Sequence, residues 1–415
     1  MGNKRVKIGI IGGGASGMMA AVSAAEIIPG IEIGIFEKND RFGRKILATG
    51  NGKCNFSNRN CSYKEYRGQD PLFAQKALEA MDPRDTVLFF EKLGIFTRED
   101  KQGRLYPYSE QALSVKEAFE TMLKALNVRC ILGKAVTKIE KTEKGFGIIL
   151  SDEEHYEAET LIIATGGKAG SQFGVTGDGY RMAKDFGHTL ISPKPALVQM
   201  NTSDIHFKTL KGVRAKGGVT LIQGGKPLAY EKGEIQFADT GLSGICIFDL
   251  SRFLEPGTNE AYVEIDLFPD FTREILLEKL IKRRNYLRNR EVETFLEGMM
   301  HKKLIPAYLN RWNIDKALPL DVLFFEDFKK LAGILKSWKV PITGTRGWQD
   351  AQITAGGIHV GEVNSGTMAS KLTPGLYFAG EILDIDGRCG GWNLQWAWSS
   401  GYLAGRNAAI RQGDV

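Results

Sequence analysis

Residues 6–39 restrict the possible folds of this chain more than any other segment, and they read VKIGIIGGGASGMMAAVSAAEIIPGIEIGIFEKN. An apolar run from Val6 to Ile11 is typical of a buried strand. A glycine turn follows, then an alanine-rich helix to about Ile28 and a second apolar strand that ends at Glu37. The pattern predicts a βαβ unit of the nucleotide-binding type.

Three glycines after the first strand have the G-x-G-x-x-G spacing of dinucleotide-binding turns. The first makes the tight turn, the second lets the backbone approach a pyrophosphate, and the third permits close packing of helix on strand. A carboxylate at the end of the second strand is placed to accept hydrogen bonds from an adenosine ribose. We therefore predict a dinucleotide site whose contacts here are Gly12, Gly14, Ala15, Ser16, Gly17, Glu37 and Lys38.

Two further segments favour FAD over NAD as the dinucleotide. Residues 158–170, AETLIIATGGKAG, predict a strand that runs into a turn of small residues. Near the C-terminus a strand from Leu376 to Ala379 leads into three acidic positions, Glu381, Asp384 and Asp386. A helix from Gln395 to Ala409 follows, whose N-terminus suits a reduced flavin or a pyrophosphate. The predicted contacts in these segments are Ala164, Thr165, Gly166, Gly167, Gly380, Glu381, Asp386, Gly391, Trp392, Asn393 and Leu394.

Composition excludes several other classes. The 415 residues are 43% hydrophobic and 25% charged, with a net charge of +6, which is ordinary for a globular protein. Five scattered cysteines without a Cys-x-x-Cys pair favour neither a disulfide framework nor a zinc site, so we expect no metal. No apolar run is long enough to span a membrane and no signal peptide is visible, so we expect a cytoplasmic protein. The basic run 281–290, IKRRNYLRNR, indicates a solvated or partner-facing helix side rather than a nucleic-acid site.

The segment 45–58, KILATGNGKCNFSN, is rich in glycine, lysine and asparagine, as phosphate-binding loops are. A P-loop requires a glycine where Leu47 stands and a serine or threonine where Cys54 stands. The loop therefore does not belong to a nucleoside triphosphatase.

The chain resembles the BaiN-like (YhiN-type) flavoproteins, NAD(P)/FAD-dependent oxidoreductases related to the glutathione-reductase and fumarate-reductase type FAD folds. The resemblance rests on IGIIGGGASGMMAA, GRKILATGNGKCNFSN, GRLYPYSEQALSV, LIIATGGKA, GLYFAGEILDIDG and GGWNLQWAWSSG, and it extends from residue 6 to about 405. It implies an α/β fold in which an FAD-binding Rossmann-like domain (1–190 and 344–415) carries an insertion (191–343). The insertion would be β-barrel-like over 191–268 and helical over 269–343, with the substrate pocket expected between the domains.

The resemblance also answers whose phosphate the loop at 45–58 binds. It implies that the loop lines the FAD, through Arg44, Lys45, Thr49, Gly50, Asn51, Gly52, Cys54 and Asn55. Cys54 has no partner at Cys-x-x-Cys spacing and is interpreted as a packed residue rather than a redox thiol.

The activity implied by the resemblance is NAD(P)H-dependent reduction of an activated C=C bond in a steroid- or bile-acid-like small molecule, by hydride transfer from flavin N5. No second glycine fingerprint follows a strand between residues 120 and 345, so NAD(P)H would dock transiently. Two alternatives stay open: a flavoprotein with non-redox hydratase or isomerase chemistry, and an RNA-modifying flavoenzyme. No obligate protein partner is evident. The candidate catalytic residues are Arg104, Tyr106, Tyr108 and His359.

Overall fold

The computed structural model describes residues 4–257 and 260–413. They divide into two compact units, of which the first comprises residues 4–195 and 352–413 and the second comprises residues 196–257 and 260–351. The first part of the first unit contains β1 (Lys4–Ile11), α1 (Ala15–Ile27), β2 (Ile33–Glu37), α2 (Arg44–Ala48), β3 (Ser57–Asn58), β4 (Tyr66–Arg67), α3 (Ala74–Ala80), α4 (Pro83–Lys92), β5 (Thr97–Glu99), β6 (Arg104–Pro107), α5 (Ala112–Ala125), β7 (Arg129–Leu132), β8 (Val136–Thr142), β9 (Gly145–Leu150), β10 (His155–Ile163), α6 (Asp178–Asp185) and β11 (Leu190–Ala196).

The inserted unit contains a β-barrel and a group of helices. Its elements are β12 (Met200–Thr202), α7 (Phe207–Leu210), β13 (Arg214–Gln223), β14 (Lys226–Ala238), β15 (Gly241–Ser243), α8 (Ile245–Ser251), β16 (Ala261–Asp266), α9 (Arg273–Leu287), α10 (Ile305–Trp312), α11 (Phe325–Lys336) and β17 (Trp338–Thr345). Within the described residues, six strands close the barrel in the order β12-β15-β14-β13-β16-β17. Alternate residues of β16 are buried, as the period of a strand with one face on a core requires.

The chain then returns to the first unit through β18 (Ile353–Ile358), β19 (Leu376–Phe378), β20 (Asp386–Gly387) and α12 (Trp392–Gly413). The predicted domain junctions, at 190/191 and 343/344, lie a few residues before the junctions of the compact units. The reason is strand pairing, since β11 pairs with β18 in the first unit while β17 remains part of the barrel. None of the described helices is long and apolar enough to cross a membrane.

The main sheet of the first unit follows the predicted nucleotide-binding pattern. In the described residues its order is β7-β2-β1-β10-β9-β8, with β19 paired to β10. Strands β1, β2, β10 and β19 run parallel, and every residue of β2 is buried, as expected for strands covered on both faces. The predicted α/β fold with an inserted barrel is confirmed.

Strands β8, β9 and β10 form an antiparallel meander, whereas β7 pairs parallel with β2 at the far edge of the sheet. One local prediction was wrong. The last helix begins at Trp392 rather than Gln395. The Gln395 backbone N–H already donates to the Gly391 carbonyl at 3.0 Å, so this glycine supplies the first acceptor of the helix.

Helices α1 and α12 pack with their backbones in contact, and this contact positions the site. A Cβ atom placed on Gly401 would lie 2.4 Å from the Ser16 carbonyl oxygen, and one placed on Gly405 would lie 2.1 Å from that of Ala20. Glycines four residues apart lie on one helix face and permit such an approach. Both helices therefore hold their first turns in a fixed relation to the sheet.

Candidate active site

The glycine turn between β1 and α1 is stabilised by its own backbone. The Gly12 N–H donates to the Phe36 carbonyl at 2.9 Å, and a Cβ atom on Gly17 would lie 1.9 Å from the Gly12 carbonyl oxygen. The Phe42 ring lies against Gly13, where a Cβ atom would be 2.0 Å from Cδ1. Phe42 was not predicted as a site residue, because no local sequence pattern indicates which ring covers the turn.

Glu37 stands where the ribose-binding acid was predicted. Its carboxylate is buried, and its Oε2 accepts the Gly13 N–H at 2.8 Å, which links the end of β2 to the glycine turn. Its Oε1 accepts from both nitrogens of Asn39, at 2.8 and 2.7 Å. These three donors occupy three of the roughly four lone-pair sites of the carboxylate, and the remaining site, on Oε2, suits a ribose hydroxyl.

The neighbouring predicted residues are engaged with protein groups. Lys38 forms an ion pair with Asp178 at 2.5 Å, and Arg44 donates to the Asn39 side-chain oxygen at 2.8 Å. An open cavity of about 350 Å³ lies beside them, lined by Arg41, Arg44, Leu47, Ala48 and Phe173. Its two guanidinium groups are the kind that bind phosphate.

An ion pair joins three predicted segments. Lys45 Nζ lies 2.6 Å from Glu381 Oε2, and Glu381 Oε1 accepts the Thr354 N–H at 2.9 Å. The Thr354 hydroxyl in turn accepts the N–H groups of Lys168 and Ala169, at 2.8 and 3.0 Å. Thr354 was missed from the sequence, since it lies in an apolar strand that carries no motif. The contact brings together helix α2, the turn after β10 and the segment after β19.

The segment from Ala379 to Glu381 lies between α1 and α12. Ser16 Oγ donates to the Ala379 carbonyl at 3.3 Å, and the Gly380 N–H donates to Ser400 Oγ at 2.9 Å. The turn after β10 joins them, because the Ala164 N–H donates to the Ile11 carbonyl at 2.8 Å. We call this region the glycine-rich edge, and it comprises residues 12–17, 164–167 and 379–381. The predicted residues Thr165, Gly166 and Gly167 lie in its second segment.

The loop 49–55 combines an exposed part with a buried end. Asn51 and Gly52 are exposed, whereas Cys54 is buried and burial raises the pKa of its thiol to about 12, against a hydrogen bond from Thr49 that lowers it. A thiol with this pKa stays protonated at neutral pH, which supports a packed residue rather than a redox group. The next residue, Asn55, is also buried, and among the described residues its Oδ1 has no hydrogen-bond partner.

Arg104 and Tyr106 project from one face of β6 toward two glycine positions. The Tyr106 ring lies 3.6 Å from where a Cβ atom of Gly50 would stand, and Arg104 Nε lies 3.4 Å from the corresponding point on Gly390. Burial raises the pKa of Tyr106, and the adjacent Arg104 guanidinium opposes that rise. The Trp392 Nε1 is buried nearby and, in the described part of the chain, has no partner. We call Asn55, Arg104, Tyr106 and Trp392 the donor cluster.

A buried amide supports the donor cluster from behind. Gln395 is fully buried; its Oε1 accepts the Ser57 hydroxyl at 2.5 Å and its Nε2 donates to the Met81 carbonyl at 2.9 Å. Asn58, next to Ser57 in β3, donates to the Gly390 carbonyl at 2.9 Å. Neither role was predicted from the sequence, because both depend on contacts between residues more than three hundred positions apart.

The remaining predicted residues lie around this cluster or away from it. The Asn393 amide binds the Gly387 N–H and carbonyl, both at 2.8 Å, so it closes the turn before α12. Asp386 is buried in β20, Gly391 precedes α12, and Leu394 packs on the core. Tyr108 is 68% exposed and lies beside Arg98. The backbone of His359 donates to Thr189, so the structure does not bring this residue into the cluster.

Comparison with known proteins places the chain in a family. The HI0933-like protein Rossmann domain model matches residues 6–407. The 3-dehydro-bile acid delta(4,6)-reductase of Clostridium scindens is 39% identical over 98% of this chain and 99% of its own length. The chain belongs to the HI0933-like Rossmann family. A ribosomal RNA dihydrouridine synthase of Escherichia coli is 30% identical over 96% of each chain.

The fold is shared more widely than the family. A quinol-fumarate reductase structure aligns with all of this chain and 72% of its own length, with a TM-score of 0.52 and 16% identity. At this identity the likeness concerns the fold alone. Family membership and the reductase relative make the chain an FAD-dependent oxidoreductase, as predicted.

The residues present fit FAD. A Cβ atom on Gly14 would meet no atom within 4 Å, so the protein itself leaves the space beside this glycine free. Within the described residues no side chain caps the first turn of α1, which leaves its N–H groups for an anion. Glu37 would hold the ribose, the turn at Gly14 the pyrophosphate, and the donor cluster would face the reacting end.

Proposed function

We propose that this protein uses NAD(P)H to reduce a carbon–carbon double bond conjugated to a carbonyl group in a steroid- or bile-acid-like molecule. The observation that carries the proposal is the donor cluster, which gathers a guanidinium, an indole N–H and an amide around the turn at Gly390 and Gly391, with the Tyr106 phenol next to the Arg104 guanidinium. Reduction of such a bond requires hydrogen-bond donors at the carbonyl oxygen and an acid that protonates carbon.

The names of two relatives agree on the type of bond. A delta(4,6)-reductase of a 3-dehydro-bile acid acts on double bonds conjugated to a ring ketone. A dihydrouridine synthase acts on the ring double bond of uridine, which is also conjugated to a carbonyl. The shared chemistry supports an enone-type acceptor, and the higher identity to the bile-acid enzyme favours a small apolar substrate.

Each residue of the donor cluster has a role in this chemistry. When bound, FAD supplies a hydride that it has received from NAD(P)H. Arg104 donates to the substrate carbonyl oxygen and stabilises the negative charge that develops there as the β-carbon gains the hydride. Tyr106 gives its proton to the α-carbon, and its raised pKa keeps it protonated at neutral pH. The burial of Asn55 and of the Trp392 Nε1 atom excludes water from this end of the site.

An RNA substrate is the second candidate, because one relative is a ribosomal RNA dihydrouridine synthase. The basic run at 281–290 gives this candidate limited support. Arg283 donates to the carbonyls of Phe295 and Glu297, and Arg284 donates to those of Leu320 and Asp321. Both guanidinium groups thus bind the backbone of the inserted unit. Binding of ribosomal RNA that weakens steeply with salt would support this candidate.

The test is anaerobic reduction of the purified yellow protein. We expect NADH or NADPH to bleach the flavin absorbance, and a 3-oxo-Δ4 steroid to restore it. The Tyr106→Phe variant should retain FAD and still be bleached, but its reoxidation by the enone should slow by about a hundredfold, as loss of a general acid predicts.

Arg59→Ala, which removes an arginine paired with Glu99 at 2.9 Å, is the matched control and should reoxidise at the wild-type rate. A wild-type protein that neither nicotinamide bleaches would exclude NAD(P)H as the donor. If the enone then also failed to reoxidise a dithionite-reduced sample, non-redox chemistry would be favoured.

A further inference from the structure

The hairpin of β5 and β6 has one face that continues outward from the donor cluster. Arg98 stands directly opposite Tyr106 in the register of the two strands, so their side chains lie on the same face. Tyr108 continues the alternation of Arg104 and Tyr106, and its N–H donates to the Phe96 carbonyl at 2.6 Å. We call Phe96, Arg98, Arg104, Tyr106 and Tyr108 the hairpin face.

Exposure rises along this face with distance from the donor cluster. The side chain of Arg104 is 22% exposed and that of Arg98 is 50% exposed. Tyr108 is 68% exposed and Phe96 is 80% exposed, which is unusual for aromatic rings on a surface without a partner. The face therefore leads from the buried donor cluster to open surface.

The charges at the outer end favour an anion. Arg98 and Lys53 both bind the single carboxylate of Glu110, each at 2.7 Å, so this group of three carries a net charge of +1. These ion pairs are exposed, and exposed pairs are weak, so a phosphate replaces the carboxylate at little cost. The Arg98 guanidinium also lies over the Tyr108 ring, 5.9 Å from its centroid. The combination of cations with flat rings matches phosphates joined to bases.

We propose that the outer part of the hairpin face, Phe96, Arg98 and Tyr108 with the adjacent Lys53, is the docking site of the NAD(P)H that reduces the flavin. This inference rests on the proposed function. The phosphates of the nucleotide contact Arg98 and Lys53, and one of its rings stacks on Tyr108. The nicotinamide then reaches inward past Tyr106 toward Gly50. The site explains how the chain uses a nicotinamide without a second glycine fingerprint.

The test measures binding separately from turnover. NAD+ and NADP+, which cannot reduce the flavin, are titrated into the oxidised holoenzyme by calorimetry. For whichever nucleotide binds the wild type, we expect Arg98→Ala and Tyr108→Ala each to raise Kd at least tenfold. The salt dependence of binding should be shallower in Arg98→Ala, because one phosphate contact is lost.

One matched control lies on the hairpin and the other lies beside it. Tyr108→Phe retains the ring and should bind within twofold of wild type. Arg59→Ala removes the cation paired with Glu99, which stands on the opposite face, and should also leave Kd within twofold. FAD content, and reoxidation of the dithionite-reduced holoenzyme by the enone, should be unchanged in all four variants.

Three results would contradict the proposal. Wild-type Kd values in both alanine variants would show that the nucleotide docks elsewhere, even if NAD(P)H bleaches the flavin. If the nucleotide Kd were unchanged but a higher enone concentration were needed to reoxidise the flavin, the hairpin face would belong to the substrate site. A wild-type holoenzyme that binds neither nucleotide and is bleached by neither would overturn this site together with the NAD(P)H part of the proposed function.

Discussion

The glycine-rich edge and the hairpin face belong to the same unit, but they are stabilised in opposite ways. At the glycine-rich edge, backbone packs on backbone, and the Glu381 carboxylate is held by Lys45 and by the Thr354 N–H. On the hairpin face, exposed side chains are joined by exposed ion pairs. A preorganised edge suits a cofactor that stays bound, whereas a loosely paired surface suits a nucleotide that binds and leaves. We therefore expect the hairpin face to tolerate substitution better than the glycine-rich edge does.

The largest expected effect concerns Gly17. In the Gly17→Ala variant the new Cβ atom would overlap the Gly12 carbonyl oxygen, at 1.9 Å, so the turn and α1 must separate. We expect a loss of about 3 kcal/mol in the free energy of unfolding, as overpacking of a core contact predicts, and no retained FAD. Urea denaturation and the flavin content of the purified protein measure these effects. Wild-type stability would contradict the close packing of this edge.

The Gly14→Ala variant distinguishes the effect of this glycine on the stability of the apoprotein from its effect on FAD binding. Its Cβ atom meets no protein atom within 4 Å, and the backbone at this position, φ −83°, is open to alanine. The apoprotein should lose about 1 kcal/mol or less, the usual cost of alanine at a helix N-cap. FAD affinity should fall at least about tenfold, because the methyl group occupies the space beside the pyrophosphate. Equal FAD affinity in the variant and the wild type would place the pyrophosphate elsewhere.

The sequence was sufficient to predict those parts of the structure that depend on local pattern. The βαβ unit follows from apolar periodicity and glycine spacing within residues 6–39, and the structure contains it from β1 to Glu37. The inserted barrel followed from the family resemblance rather than from periodicity alone. Among the predicted site residues, Glu37, Lys45 and Glu381 make contacts that join separate segments at the glycine-rich edge.

Residues whose roles depend on tertiary contact could not be predicted in this way. The Thr354 hydroxyl accepts a backbone N–H from nearly two hundred positions away in the sequence. Gln395 accepts the Ser57 hydroxyl from more than three hundred positions away. Neither belongs to a motif, and a buried Gln or Thr has no distinctive local pattern. Tyr106 and Tyr108 were both predicted as candidate proton donors because they are phenols in the same motif, GRLYPYSE. Their exposures differ because β6 ends between them, at Pro107.

Ion pairs in the two regions offer a second comparison. Lys45→Met leaves the Glu381 carboxylate, 22% exposed, without its cation, and we expect a loss of about 2 kcal/mol in unfolding free energy. Arg98→Met breaks a pair with both side chains well exposed, and it should cost about 0.5 kcal/mol or less. Urea denaturation of the two apoproteins measures both values. Equal losses would mean that the glycine-rich edge is no more firmly held than the hairpin face.

The smallest expected effect concerns a buried histidine behind the glycine-rich edge. His188 packs edge-on against the Phe378 ring, 4.7 Å between centroids, in the strand that leads into this edge. Its Nε2 lies 2.8 Å from Ser370 Oγ, and its Nδ1 lies 3.4 Å from Glu362. Burial lowers the pKa of His188, and the nearby Glu362 carboxylate only partly opposes this.

The pH dependence follows from that direction. As the pH falls, a histidine whose pKa is lowered in the folded state takes up its proton at a lower pH than it does in the unfolded chain. Its contribution to stability is therefore present above about pH 6.5 and is lost as the pH falls through the folded pKa. Between pH 7.5 and 5.5 the wild-type Tm should fall by a few degrees, and His188→Gln, which cannot be protonated, should fall less. The exposed His155→Gln variant is the matched control and should follow the wild type. If the Tm of His188→Gln fell as much as that of the wild type, the acid sensitivity would arise from groups other than His188. The glycine-rich edge would then be insensitive to protonation in this pH range.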